Sequence, residues 1–274
     1  MPVISTNTAA DSAVRYLNLN AANESSALSK LSSGSRIVQA SDDAAGLAIS
    51  TRISSDVTTL QQAATNASQA TSILQTADGG ASNISDILAR MKSLASESAS
   101  GTVTDSSRSY INSEFSQLSS EIDSIATGTR YSGQSLLDGT GAFASGVSVL
   151  VGSSANDTIT ITLSSLTASA LGTSSLDVST EAGAATALTS LDTAINTVSA
   201  ARANIGAQES RFNFSADSLS TQTQNLQAAN SAIMDVDVAS EEATLSSAEV
   251  KTQAAVSAET AANQMPQFLL KLLG

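Results

Sequence analysis

The sequence has no cysteine, no histidine and no tryptophan. Without cysteine there are no disulfides and no thiolate metal sites, and the chain is indifferent to the redox state of its compartment. Without histidine it lacks the commonest general base and the commonest metal ligand. Its only prolines are Pro2 and Pro266, so nothing between them removes a helix hydrogen bond or forces a proline kink. Aromatic residues are 3% and charged residues 14%, well below the roughly 25% charged of ordinary soluble domains. The net charge is −13 with no basic cluster, which argues against nucleic acid and against an anionic membrane as partners. No apolar run approaches the roughly 20 residues of a membrane span. The opening "MPVISTNTAADSAVRYLN" lacks the basic and apolar regions of a signal peptide, so export without a cleaved leader is the expectation.

Alanine, serine and threonine fill much of the chain. Such side chains let helices approach closely but do not fill a wide core, which favours narrow helical bundles. A first helix is predicted to start at Thr6 or Asn7, residues able to cap exposed amides. Its apolar stripe is Ala10, Val14, Leu17, Ala21, Leu28 and Leu31, broken only by Glu24, with Gly34 as a left-handed stop. A second helix is predicted to begin near Ser41 or Asp42. Its stripe of Leu60, Ala63, Ala67, Ala70, Leu74, Ala77, Ala81, Ile84, Leu88, Met91 and Ala95 steps alternately by three and four, as coiled-coil packing requires. Gly79–Gly80 is a weak point and a candidate kink. A third helix is expected from about 106 to 126, with Ile111, Phe115, Leu118, Ile122 and Ile125 on one face.

"YSGQSLLDGTG" then breaks the pattern, and residues 140–180 change character. "GVSVLVGSSANDTITITL" reads as a β-hairpin, with Ile159, Ile161 and Leu163 alternating. From Leu188 the heptads return, with Leu191, Val198, Ile205, Phe212, Leu219, Leu226 and Ile233 at every seventh position. "MDVDVASEEATL" interrupts, and a last helix runs to "NQMPQFLLKLLG". The fold class expected is mainly α, an elongated antiparallel helical hairpin and coiled-coil bundle with a small β-hairpin in its middle. Its segments are 1–40, 41–139, 140–180, 181–234 and 235–274.

Candidate chemistry is sparse. Asp42–Asp43 splay by about 100° on a helix and are better helix-capping residues than a metal or acid–base pair. Asp235, Asp237, Glu241 and Glu242 lack the glycine and rhythm of a calcium loop, and Ser240 among them reads as a helix start. Serines have no histidine to activate them, and no S-x-x-K, G-x-x-x-x-G-K or G-x-G-x-x-G is present. No cofactor is expected. More telling is the end of the chain, where Met265, Phe268, Leu269, Leu270, Leu272 and Leu273 crowd together. A free monomer would present them as a sticky patch, so burial against other subunits is expected.

On these residues the sequence resembles bacterial flagellins. "SALSKLSSGSRIVQASDDAAGLAISTRI" (26–53) is similar to the family's N-terminal signature and "ANQMPQFLLKLL" (262–273) to its C-terminal one. "YSGQSLLDG" (131–139) and "ANIGAQESRF" (203–212) match further segments in the correct order. The resemblance implies a homopolymeric filament subunit of the bacterial flagellum, secreted through the flagellar export apparatus. Its terminal helices would form an inner tube through Val14, Leu17, Leu28, Leu31, Phe268, Leu269, Leu270, Leu272 and Leu273. Gly34, Arg36, Asp42 and Asp43 would form the joint to an outer layer. That layer would be packed by Leu60, Leu74, Ile84, Leu88, Met91, Leu191, Val198, Ile205, Phe212, Leu219 and Leu226. Implied partners are an export chaperone on the C-terminal helix, the filament cap and the hook-associated proteins. The family also implies Toll-like receptor 5 as a partner, at Arg90, Leu94 and Glu114, although Ala89 and Ser93 depart from the Gln and Glu common in well-recognised members. A hook–filament junction protein is the alternative within the same resemblance. A flagellin carrying a zinc protease would need H-E-x-x-H, which a chain without histidine lacks.

Overall fold

The structure, a computed structural model, describes the backbone of residues 7–273; the side chains of residues 266 and 268–273 lie outside the described residues. The elements are α1 (Thr8–Ser33), α2 (Ala44–Ser98), α3 (Asp105–Gly128), β1 (Arg130–Tyr131), β2 (Gln134–Ser135), α4 (Ala142–Ser145), β3 (Val147–Leu150), β4 (Thr158–Ile161), α5 (Glu181–Met234) and α6 (Val238–Leu273). They divide into two compact units. One comprises the chain up to Ser55 together with Asn225 onward; the other is 56–224.

The second unit holds the large core. Every residue of the predicted α2 stripe from Leu60 to Ala95 is buried. Leu191, Val198, Ile205, Phe212 and Leu219 of α5 are buried too, and Phe115, Ile122 and Ala126 of α3 join them. Each fully buried Leu, Ile or Phe contributes about 1.5–3 kcal/mol, so these three faces account for the stability of a bundle otherwise made of small side chains. α2 continues as helix through Gly79 and Gly80. The reason for Gly80 is close approach: a Cβ there would meet Thr129 Oγ1 at 2.5 Å and Leu137 Cδ1 at 2.9 Å.

The segment after α3, where the helical pattern breaks, contains a hairpin not expected from its sequence. β1 and β2 pair antiparallel across Ser132 and Gly133. Both turn residues have positive φ (50° and 83°), as a two-residue hairpin turn of the right twist requires. Leu136 and Leu137 follow and are buried. β3 and β4 form the second hairpin in the register Val147↔Ile161 to Leu150↔Thr158. α5 starts at Glu181, a full two turns before its first heptad leucine.

Polar side chains pin the irregular segment to the helices. Asp123 accepts from the Ala168 amide (2.8 Å) and Asn112 from the Val178 amide (3.0 Å). Gln208 accepts from the Thr162 amide and donates to its carbonyl, both at 3.0 Å, so one side chain replaces the next strand of a sheet. Arg108 is buried and donates to the carbonyls of Ser98 and Ser100 (2.9 Å each) and to Asp105 (3.0 Å). It thereby satisfies the end of α2 and the start of α3.

Candidate assembly surface

In the first unit α1 packs on α6. The face that α1 turns inward is Ala10, Ala13, Leu17, Asn20, Glu24, Ala27 and Leu31, all buried or half-buried. α6 answers with Glu241, Leu245, Ala248, Thr252, Ala255, Glu259 and Ala262. Both sets step alternately by three and four, the seam of a two-helix coiled coil. Two bonds cross it: Asn7 Nδ2 donates to the Ala262 carbonyl (2.8 Å), and Thr252 Oγ1 donates to Glu24 Oε2 (3.1 Å). Asn7 also caps α1 through the Ala10 amide (3.2 Å).

This corrects the predicted stripe of α1. Leu17 and Leu31 lie in the seam, but Val14 and Leu28 lie outside it, 39% and 58% exposed, with Leu19 and Tyr16 also exposed. The residue predicted to break the stripe, Glu24, belongs to the seam because Thr252 bonds it. Apart from Leu17, Leu31 and Leu245, small and polar residues fill this seam, and further apolar side chains are left on the flanks. On α6 the outward apolar residues are Val238, Val250, Val256 and Met265. α6 remains helical over Phe268, Leu269, Leu270, Leu272 and Leu273, whose side chains lie outside the described residues.

The joints at the two ends of this unit are knitted together. Gly34 ends α1 in the left-handed conformation (φ 69°). Ser35 and Asp235 form an antiparallel bridge, with the Arg36 amide donating to Met234 O (2.6 Å) and the Val236 amide to Gly34 O (3.1 Å). The Arg36 guanidinium adds a bond to the Ile233 carbonyl (2.8 Å). The aspartates divide their labour. Asp42 accepts from the Val38 and Gln39 amides (3.0 Å each), closing the loop, and these bonds, Gln39 first, hold its carboxyl below the usual aspartate range. Asp43 accepts from the Gly46 amide (2.8 Å) and begins α2. Gly46 is required there, since a Cβ would lie 2.5 Å from Asp43 Oδ2 and 2.8 Å from Ile37 Cδ1. At the start of α6 the capping residue is Asp237, accepting from the Ala239 and Ser240 amides (3.0 and 3.2 Å), rather than the expected Ser240. Leu226 near the end of α5 is half-buried.

On the second unit, Arg90 of α2 donates from Nε (3.0 Å) and Nη2 (2.7 Å) to Glu114 Oε1 of α3, and both side chains are about half exposed. Leu94, expected beside them on the same surface, is 2% exposed and packs in the core. Arg90 and Glu114 are therefore the two of the three that face solvent. Lys92 pairs with Asp192. Among the described residues, no group of three or more His, Cys, Asp or Glu side chains is placed to hold a metal. Nor is any described helix long and apolar enough to cross a membrane.

The bacterial flagellin N-terminal helical region matches residues 4–142, and the flagellin C-terminal helical region matches 188–273. The chain belongs to the bacterial flagellin family. A flagellin of Halalkalibacterium halodurans is 35% identical over 99% of both chains, and a Treponema maltophilum flagellar filament core protein is 33% identical over the same share. The crystal structure of Bacillus cereus flagellin superposes with a TM-score of 0.52 at 33% identity, covering 61% of this chain and 94% of that one. A putative hook-associated protein of Vibrio parahaemolyticus (TM-score 0.59, 15% identity, covering 70% and 99%) shares the fold. Flagellin membership makes this chain a structural subunit that polymerises with itself into the flagellar filament, outside the cell.

Proposed function

We propose that this flagellin builds its filament by burying the flanks of the α1–α6 pair against neighbouring copies. In this reading residues 1–40 and 235–274 form an inner layer joined through Gly34, Arg36, Asp42 and Asp43. The helical segments 41–139 and 181–234 form the outer layer, and 140–180 faces solvent. The supporting observation is the inversion in α1. Its seam toward α6 holds Ala, Asn and Glu beside Leu17 and Leu31, whereas Val14 and Leu28 lie outside it, 39% and 58% exposed. Exposed apolar residues on both helices mark an interaction surface. The sequence of the α6 end, Phe268 to Leu273, is apolar as well. Before assembly it is the segment an export chaperone would shield. The filament cap and hook-associated proteins would meet the same terminal helices at the filament ends. The role is structural, with no catalysis.

The test is seeded elongation by the Leu28→Asp/Val250→Asp variant. Both positions are exposed, so the monomer should keep the helicity of the unmodified chain while losing elongation. Normal filaments from the variant would overturn the assignment. Toll-like receptor 5 would contact the Arg90–Glu114 surface. Arg90→Ala should weaken receptor signalling while filaments still form, and unchanged signalling counts against that surface.

A further inference from the structure

The α1–α6 pair carries an unused electrostatic asymmetry. A groove of about 540 Å³ runs between the two helices, with Asn20, Asn23 and Lys30 of α1 on one side and Thr244, Ser247 and Lys251 of α6 on the other. Glu241 lies in its wall. Neither lysine forms an ion pair among the described residues. Lys30 also attracts the Asp42 carboxylate from outside the groove, but within it two ammonium groups face one carboxylate, Glu241. In a chain with 25 acidic and 12 basic residues, such a net basic groove is a site for carboxylates.

The same helix carries the complementary surface on its back. Glu242 and Glu249 are exposed, seven residues apart and therefore on one row. Glu249 and Lys251 differ by two residues, which turns them about 160° apart on an α-helix. Glu242 stands in the same relation to Thr244 in the groove. A single chain cannot bring its own acidic row into its own groove. A second copy can, and the resulting contact joins unlike faces, the kind that propagates into a helical polymer instead of closing a two-fold dimer.

We propose that the groove bearing Lys30 and Lys251 receives the Glu242–Glu249 row of a neighbouring copy, giving α6 a donor face and an acceptor face in the filament. This rests on the filament-subunit reading and specifies one of its contacts.

Charge reversal tests it with the full-length chain. Lys30→Glu/Lys251→Glu makes both faces acidic; Glu242→Lys/Glu249→Lys makes both basic. Light scattering after addition of sheared filament seeds, checked by negative-stain microscopy, follows elongation. Each double variant alone should elongate at least tenfold more slowly than the unmodified chain. An equimolar mixture should recover, because each acidic face then meets a basic one in alternation. The quadruple variant, with both faces exchanged, should recover by itself. Either double variant elongating at the unmodified rate overturns the proposal, as does failure of both the mixture and the quadruple variant. Failure of the unmodified chain to elongate is a different result, which removes the filament reading and the contact with it.

Discussion

Arg202 on α5 clasps Asp78 on α2 with two nitrogens, Nε at 2.8 Å from one carboxylate oxygen and Nη2 at 3.3 Å from the other. The pair sits where the α5 heptad needs a companion residue and has a charged one, and the Asp78 bond holds the guanidinium firmly protonated. Partial exposure limits its worth to about 0.5–1 kcal/mol. A double-mutant cycle of Arg202→Ala and Asp78→Ala should return a coupling of that size at low salt, reduced by 1 M salt through screening. Lysine at 202 should recover only part of it, because an ammonium cannot form the two-nitrogen fork. No coupling at low salt would show that the clasp contributes nothing.

Glu209, two turns further along α5, has a harder position. Its Oε1 is shut away from solvent with no hydrogen-bond partner, and burial, then the charge of Asp78, push its carboxyl above the usual glutamate range. The folded state therefore holds this proton to higher pH than the unfolded state does. Stability is lost as pH rises from the ordinary glutamate value through the raised one. Glu209→Gln should be the more stable protein at neutral pH, by about 1 kcal/mol. The advantage should shrink as pH falls through that window. Urea midpoints of both proteins from neutral to acid pH measure it, and a difference that does not change with pH would refute the assignment.

Gln208 closes the open edge of the β3–β4 hairpin at Thr162. Gln208→Leu keeps the volume but removes the partner of the Thr162 amide and carbonyl, at a cost of about 1 kcal/mol. Hydrogen exchange at the Thr162 amide should accelerate in step with that loss. Gln208→Glu should preserve the bond from the amide and lose the one to the carbonyl, giving an intermediate protein. Unchanged exchange in the leucine variant would mean that another group satisfies Thr162.

Two adjacent glycines in α2 should respond with opposite signs. A Cβ at Gly79 meets nothing within 4 Å, so Gly79→Ala should stabilise by about 0.5–1 kcal/mol through helix propensity alone. Gly80→Ala should destabilise, because its methyl would collide with Thr129 and Leu137. Thermal melts of the two variants decide it. A stabilised Gly80→Ala would mean that the 129–137 loop gives way.

The second unit was legible because its helices obey a period that only one packing satisfies. From Leu60 to Ala95 the sequence marks the buried face of α2 without a miss. The first unit hid its packing. A seam mostly of Ala, Asn, Glu and Thr, with Leu17, Leu31 and Leu245, gives hydrophobic periodicity little to detect, so the α1 stripe mixes seam residues (Leu17, Leu31) with flank residues (Val14, Leu28). The heptad of α6, from Glu241 to Ala262, escaped for the same reason. Gln208, Asp123 and Asn112 were invisible for another: each bonds the backbone of a residue distant in sequence, and no local pattern announces that. The "SG" of residues 132–133 was the available signal for the β1–β2 turn.

The bond from Asn7 to Ala262 joins residues separated by almost the whole chain, and the bridge from Ser35 to Asp235 joins residues separated by most of it. Time therefore enters the architecture. Contacts between distant parts of a sequence form late, since the loop between them must be closed first. Residues 56–224 possess all three faces of their core and have no need of either end. α1, the first helix to appear, packs on the last. A chain emerging from its N-terminus would carry α1 unsupported until α6 arrives, and completion of the polymerising end would report that delivery of the subunit is finished.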